Sequence, residues 1–215
     1  MSNINLHSSK IIKQIQQGFT LPVMEHFYTI QGEGFHSGAA CYFVRLGGCD
    51  VGCPWCDVKE SWDENDHPII AVKEIVKKSL EFSDCVIVTG GEPLMWNMGP
   101  LTKELKKFNK KTHIETSGSH PLTGDWDWVC LSPKKAKLPI EEAYNYADEL
   151  KMIIYNNHDF IFAEEQAKKV NSNAILYLQP EWGKRERMMP LMVDFVKNNP
   201  KWKLSLQTHK YLNIP

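Results

Sequence analysis

"CVIVTGGEPLMWNMGPLTKELKKFNKKTHIETSG" (residues 85–118) holds the unit that decides the fold. A short apolar run, Cys85 to Val88, enters a polar, glycine-rich corner, Thr89 to Pro93. An amphipathic stretch follows over 101–111, and a second run, 112–118, ends in another polar corner, ETSG. A helix-length connection between two such runs predicts parallel strands joined by a crossover helix, because tight turns join only antiparallel strands.

The alternation extends in both directions. Further strand-like runs occupy 41–48, 128–134, 149–155, 174–180 and 203–209. Helical patterns occupy 71–82, 159–171 and 185–199, the first placing Val72, Ile75, Val76 and Leu80 on one face. Most of the runs are too continuously apolar for half-exposed antiparallel strands, which suits buried parallel ones. The connection 155–174 has room for a crossover helix, whereas 118–128 does not and must be irregular. The expected class is α/β, a shortened or incomplete (β/α) barrel with mainly parallel strands. The expected organisation is a single domain over 21–215 preceded by an extension over 1–20. Chemistry in such sheets collects at the carboxyl ends of the strands. Here those ends read GGC, TGGEP, ETSG, SPK, LQPE and QTHK.

Composition narrows the class. Of 215 residues, 42% are apolar and 24% charged, and the net charge is -1. No global basic field argues for nucleic acid, and the basic run 103–111 reads as a solvated helix face. The opening "MSNINLHSSKIIKQIQQGFT" has no apolar core of signal-peptide length, and no run approaches the ~18 apolar residues of a spanning helix. The expectation is a cytoplasmic protein with no membrane partner, in which the six cysteines are reduced.

Three of those cysteines stand together as Cys49-x3-Cys53-x2-Cys56. Their neighbours Asp50, Gly52, Pro54 and Asp57 make a poor hydrophobic strand, so inert core thiols are excluded. Two uses remain on spacing alone. A cubane iron–sulfur cluster held by three thiolates leaves one iron open for a small molecule. A structural zinc would need a distant fourth ligand such as Cys41, His36 or His67. Cys41, Cys85 and Cys130 sit in strand patterns and read as small core residues.

The three-cysteine spacing, with Trp55 inside it and TGGEP some thirty residues on, resembles the radical S-adenosylmethionine (SAM) superfamily. The stretch "HFYTIQGEGFHSGAACYFVRLGGC" (26–49) is similar to the 7-carboxy-7-deazaguanine synthase family within it, and the likeness continues through ETSG, LSPK, ELKMII, LQP and the terminal QTHKYLNIP. The resemblance implies a lyase of queuosine and 7-deazapurine biosynthesis, hence of tRNA modification. It would convert 6-carboxy-5,6,7,8-tetrahydropterin to 7-carboxy-7-deazaguanine and ammonia by a radical ring contraction that regenerates SAM. It also implies a homodimer and a reducing partner such as flavodoxin or ferredoxin. Cys49, Cys53 and Cys56 resemble ligands of a 4Fe-4S cluster. Trp55, Asp57, Gly91, Glu92, Glu115, Ser132, Pro133 and Lys134 resemble the SAM side of the site. Ile30, Gln31, Gly32, Glu33, Arg45, Thr89, His209 and the terminal carboxylate of Pro215 resemble substrate contacts. No catalytic side chain is assigned beyond the cluster and cofactor.

The family pattern breaks once. A threonine that binds Mg2+ in relatives is Val58 here, and valine has no oxygen for a cation that demands oxygen ligands. Mg2+ is therefore expected to be absent or weak, with Asp57, Ser61 or the charge of Lys59 as the available substitutes. Two alternatives stay open: an activase that places a glycyl radical on a partner protein, and a zinc-dependent binding module.

Overall fold

A computed structural model of the chain describes residues 9–215. One sheet of nine strands organises it: β1 (Thr20–Ile30), β2 (Ala40–Leu46), β3 (Ile69–Ala71), β4 (Cys85–Gly90), β5 (Lys111–Thr116), β6 (Trp128–Leu131), β7 (Glu149–Ile154), β8 (Ile175–Pro180) and β9 (Trp202–Leu204). Helices α1 (Ser9–Gln16), α2 (Val72–Ser79), α3 (Gly99–Lys106), α4 (His158–Ala167), α5 (Arg185–Asn198) and α6 (Thr208–Leu212) decorate it. The strand order is β3-β1-β2-β4-β5-β6-β7-β8-β9. Every neighbouring pair from β2 onward is parallel. The ends, β3 and β9, do not pair with each other, so the sheet is an open barrel.

The seven expected strands are all present as β2 and β4–β9. The unexpected β1 and β3 are antiparallel additions at one edge. β1 mixes polar and apolar residues, so its sequence lacks the continuous apolar run of the central strands. Two boundaries also differ. The run 203–209 leaves the sheet at Leu204: Ser205 Oγ accepts the Gly34 N–H (2.9 Å) and the Thr208 N–H goes to the Gly32 carbonyl (2.9 Å), after which α6 begins. Leu80 lies beyond the end of α2 and is 37% exposed, while Val72, Ile75 and Val76 are buried as expected. Residues 1–8 of the expected extension lie outside the described residues; α1 occupies part of the remainder.

Alternation along each strand divides the chemistry. Val44, Leu46, Val86, Val88 and Ile114 face outward, where Ile75, Val76, Leu101 and Leu105 of α2 and α3 cover them. Leu150, Met152, Ile154 and Leu178 do the same beneath Ala163, Met188 and Met192 of α4 and α5. Each such aliphatic side chain contributes about 1.5–3 kcal/mol on burial. The intervening residues, Arg45, Thr89, Glu115, Lys151 and Gln179, face a common cavity inside the barrel.

Deeper on that inner face, His113 Nδ1 lies 3.6 Å from Cys85 Sγ and its ring 4.4 Å from that of His36. Burial, reinforced by His36, depresses the His113 pKa from 6.5 to about 4. The unfolded chain therefore binds this proton first as pH falls, and stability present above pH 6.5 is lost toward pH 4. At about 1.4 kcal/mol per pH unit the loss reaches roughly 3 kcal/mol. Thermal melts across this window should show that acid limb in the native protein and a flatter one in His113→Gln; identical limbs would contradict the assignment.

Candidate active site

The loop after β2 carries the three cysteines and is pinned at both of its roots. Gly48 donates its N–H to the Ser61 carbonyl (2.7 Å) and Cys49 to that of Trp62 (3.1 Å), which closes the loop on itself. Trp96 Nε1 donates to the Gly47 carbonyl at 2.9 Å. Farther along, Asp50 is held by Lys137 Nζ (2.6 Å) and His120 Nε2 (3.0 Å) from the connections after β6 and β5. The Cys56 N–H bonds the Cys53 carbonyl (3.1 Å), and the Val58 N–H reaches Cys56 Sγ at 3.4 Å. Burial pushes the thiols of Cys49 and Cys53 up.

The corner after β4 lies directly against this loop. The Gly91 N–H bonds the Leu46 carbonyl (2.9 Å) and the Glu92 N–H bonds that of Gly48 (2.8 Å). A Cβ on Gly91 would stand 2.1 Å from the Gly48 oxygen, so only glycine permits the approach. Glu92 is 1% exposed, and its carboxylate accepts from Leu94 N–H (3.0 Å), Thr116 Oγ1 (2.5 Å), Ser117 N–H (2.8 Å) and Ser117 Oγ (2.5 Å). Its side-chain oxygens tie β4 to β5, while the residue also lines the cavity where the sequence expectation places SAM.

A polar network forms one wall. Lys151 Nζ pairs with Glu33 (2.5 Å) and Glu115 (3.1 Å). Gln207 Nε2 donates to the other oxygen of Glu33 (2.9 Å), and Gln31 Nε2 to the other oxygen of Glu115 (2.9 Å). Burial works to raise the Glu33 pKa, yet Lys151 overrides it and, with Gln207 and His209, holds the carboxyl down at about 2. His209 packs on the loop after β1: a Cβ on Gly32 would fall 2.2 Å from its Nδ1. That docking brings Pro215 to the cavity. Arg45 donates from Nε to Glu25 across the β1–β2 ladder (2.7 Å), so the partner an arginine within an apolar strand requires is present. Lys134 Nζ donates to Ser132 (2.5 Å to Oγ) and lies 5.7 Å from the Trp55 ring.

These elements enclose one cavity of about 370 Å³. Cys49, Cys53, Cys56, Trp55, Asp57, Gly91, Glu92, Glu115, Ser132 and Lys134 line it together with Ile30, Gln31, Gly32, Glu33, Arg45, Thr89, His209 and Pro215. Pro133 does not line it; the residue is buried in the wall behind. The Asp57 carboxylate is committed to Lys210 (2.7 Å) and Gln207 (3.4 Å). The sequence expectations missed Lys151, Gln179, Gln207 and Trp182 on the lining. The signal for Lys151 was present as a charged residue inside "ELKMII", an interior position that requires a partner. The distant zinc ligands are absent from the site: none of Cys41, His36 and His67 lines the cavity.

A model of the radical SAM superfamily matches residues 43–137. The 7-carboxy-7-deazaguanine synthase of Flavobacterium psychrophilum is 64% identical over 94% of this chain and 96% of its own length. The synthase of Synechocystis is 47% identical over 90% of this chain and 93% of its own. The crystal structure of QueE from Escherichia coli superposes with a TM-score of 0.78 at 27% identity, covering 93% of this chain and 99% of that one.

Proposed function

We infer the work of the cleft from kinship: the chain belongs to the 7-carboxy-7-deazaguanine synthase family of radical SAM enzymes. It is a lyase that converts 6-carboxy-5,6,7,8-tetrahydropterin to 7-carboxy-7-deazaguanine and ammonia, a step of queuosine biosynthesis. The observation that carries this reading is that the three thiols of one loop share a single cavity with both sets of ligand residues. The residues fit a four-iron cluster with one open iron, since three thiols of one loop and no further cysteine line that cavity. When bound, the cluster and SAM supply the one-electron chemistry that starts the reaction.

The side chains supply recognition and order. Arg45, whose Nε is already held by Glu25, offers its terminal amino groups to the substrate carboxylate. Gln31, Glu33 and His209 suit the ring N–H groups and carbonyl of a pterin, with Pro215 beside them. Glu115, Ser132 and Lys134 suit the ribose hydroxyls and carboxylate of SAM, with Trp55 beside its adenine. A homodimer, a flavodoxin- or ferredoxin-like reductant, a cytoplasmic location, a role in tRNA modification and a single domain over 21–215 complete the proposal. No helix among the described residues is long and apolar enough to cross a membrane.

The local side chains do not fit magnesium. Val58 lacks an oxygen, Ser61 Oγ donates to the Val58 carbonyl (2.7 Å), and Asp57 is paired with Lys210. Lys59, the remaining candidate, does not line the cavity; its Nζ lies 5.7 Å from the ring of Trp62. We propose that turnover needs no divalent cation. Reconstituted enzyme in magnesium-free buffer should form 7-carboxy-7-deazaguanine at the same rate as with magnesium added; a steep rise on addition would contradict this.

A further inference from the structure

Lys151 is the one lining residue whose charge touches both halves of the site. Its side chain is 5% exposed, and its ammonium joins Glu33, on the loop after β1, to Glu115, at the end of β5. Each carboxylate is held at its second oxygen by a glutamine: Gln207 for Glu33 and Gln31 for Glu115. The arrangement is also crossed. Gln31 belongs to the loop that carries Glu33, yet it bonds Glu115. Any ligand that donates to Glu115 therefore competes with Lys151 and Gln31 together, and frees both toward the Glu33 side. One positive charge shared by two carboxylates cannot hold both at full strength, so withdrawing one strengthens its hold on the other.

We propose that Lys151 is a positioning residue that couples the two ligand sites, so that SAM bound on the Glu115 side weakens the pterin on the Glu33 side, because Lys151 released from Glu115 competes harder for the carboxylate that the pterin N–H groups must reach. This rests on the assignment of Glu115 to SAM and of Gln31 and Glu33 to the substrate. Coupling of this kind is reciprocal: the pterin weakens SAM by the same factor.

The test is calorimetry on the anaerobic, cluster-loaded enzyme without reductant, so that no turnover occurs. SAM is titrated with and without 6-carboxytetrahydropterin, and the pterin with and without SAM. The native enzyme should show equal weakening in both directions, on the order of 10-fold, and tightening in either direction would overturn the proposal. Lys151→Met, which keeps the stem and removes the charge, should bind each ligand independently while staying brown. Lys151→Arg should restore the coupling, which a purely structural loss would not predict. Glu33→Gln and Glu115→Gln each remove one arm of the bridge; should Lys151→Met not fold, either should abolish the coupling. Independent binding in the native enzyme, or full coupling in Lys151→Met or in both glutamine variants, would overturn the proposal. Product formation by the native enzyme, followed in parallel, separates the cases. Product with independent binding rejects the coupling alone, whereas no product rejects the site assignment beneath it.

Discussion

Cys53→Ala purified without oxygen should be colourless and should form neither 5′-deoxyadenosine nor 7-carboxy-7-deazaguanine. Only three thiols line the cavity, and an alanine leaves two ligands for a cluster that already relies on one open iron. No neighbour can step in. Cys41 sits near the start of β2 and Cys130 is buried in β6, and neither lines the cavity. Burial pushes the Cys53 thiol up and the nearby Lys134 pulls it down, so without iron this site does not hold a ready thiolate. Metal ligation must supply the deprotonation. The matched control is Cys130→Ala. Its thiol is raised well above the usual range by burial, a structural sulfur rather than a ligand, and that variant should keep the brown colour. A colourless, folded Cys130→Ala protein would refute the ligand assignment.

Glu92→Ala should cost about 3–5 kcal/mol of stability, the second large effect. The substitution strands the Leu94 and Ser117 N–H groups and two hydroxyls around a side chain that is only 1% exposed. Each buried donor left unsatisfied costs about 1–3 kcal/mol, and the hydroxyls recover part of that by rotating to other acceptors. Glu92→Gln keeps the shape but only one of the two N–H bonds, because Leu94 and Ser117 donate to different oxygens and the amide retains one, so its loss should be smaller than that of Glu92→Ala. Urea unfolding of the two variants measures this. A loss below about 1 kcal/mol for Glu92→Ala would show that the corner after β4 is held by something other than this carboxylate.

The sheet was legible because its outer face is written continuously: Val86 and Val88, Leu150 and Met152 recur at every second residue, and the helices that cover them follow at crossover distance. The cluster loop was legible because three cysteines among aspartate, glycine and proline have few structural uses. β1 escaped notice because its pairing with β2 and β3 is antiparallel at an edge, where polar residues are tolerated and no apolar run is needed. The end of β9 was misplaced because, after the Ser205 N–H bonds the Leu178 carbonyl of β8, the Thr208 N–H turns to the Gly32 carbonyl, far away in sequence, and α6 begins. Glu92 resembles a ligand-side residue by motif, and three-dimensional bonding adds a framework role that the sequence does not show. Lys151 is the converse case. Its charge was visible in an apolar strand, but its partners Glu33 and Glu115 lie on two other segments, and only the closed cavity brings them together.

The central claim is best tested by one anaerobic incubation of the reconstituted enzyme with reductant, 6-carboxytetrahydropterin and a limiting amount of SAM, followed by mass spectrometry. The account predicts 7-carboxy-7-deazaguanine in excess of the SAM supplied, with little 5′-deoxyadenosine accumulating, because the cofactor is regenerated. Slow release of 5′-deoxyadenosine with no 7-carboxy-7-deazaguanine would contradict it and would shift the radical chemistry of this cleft to another substrate.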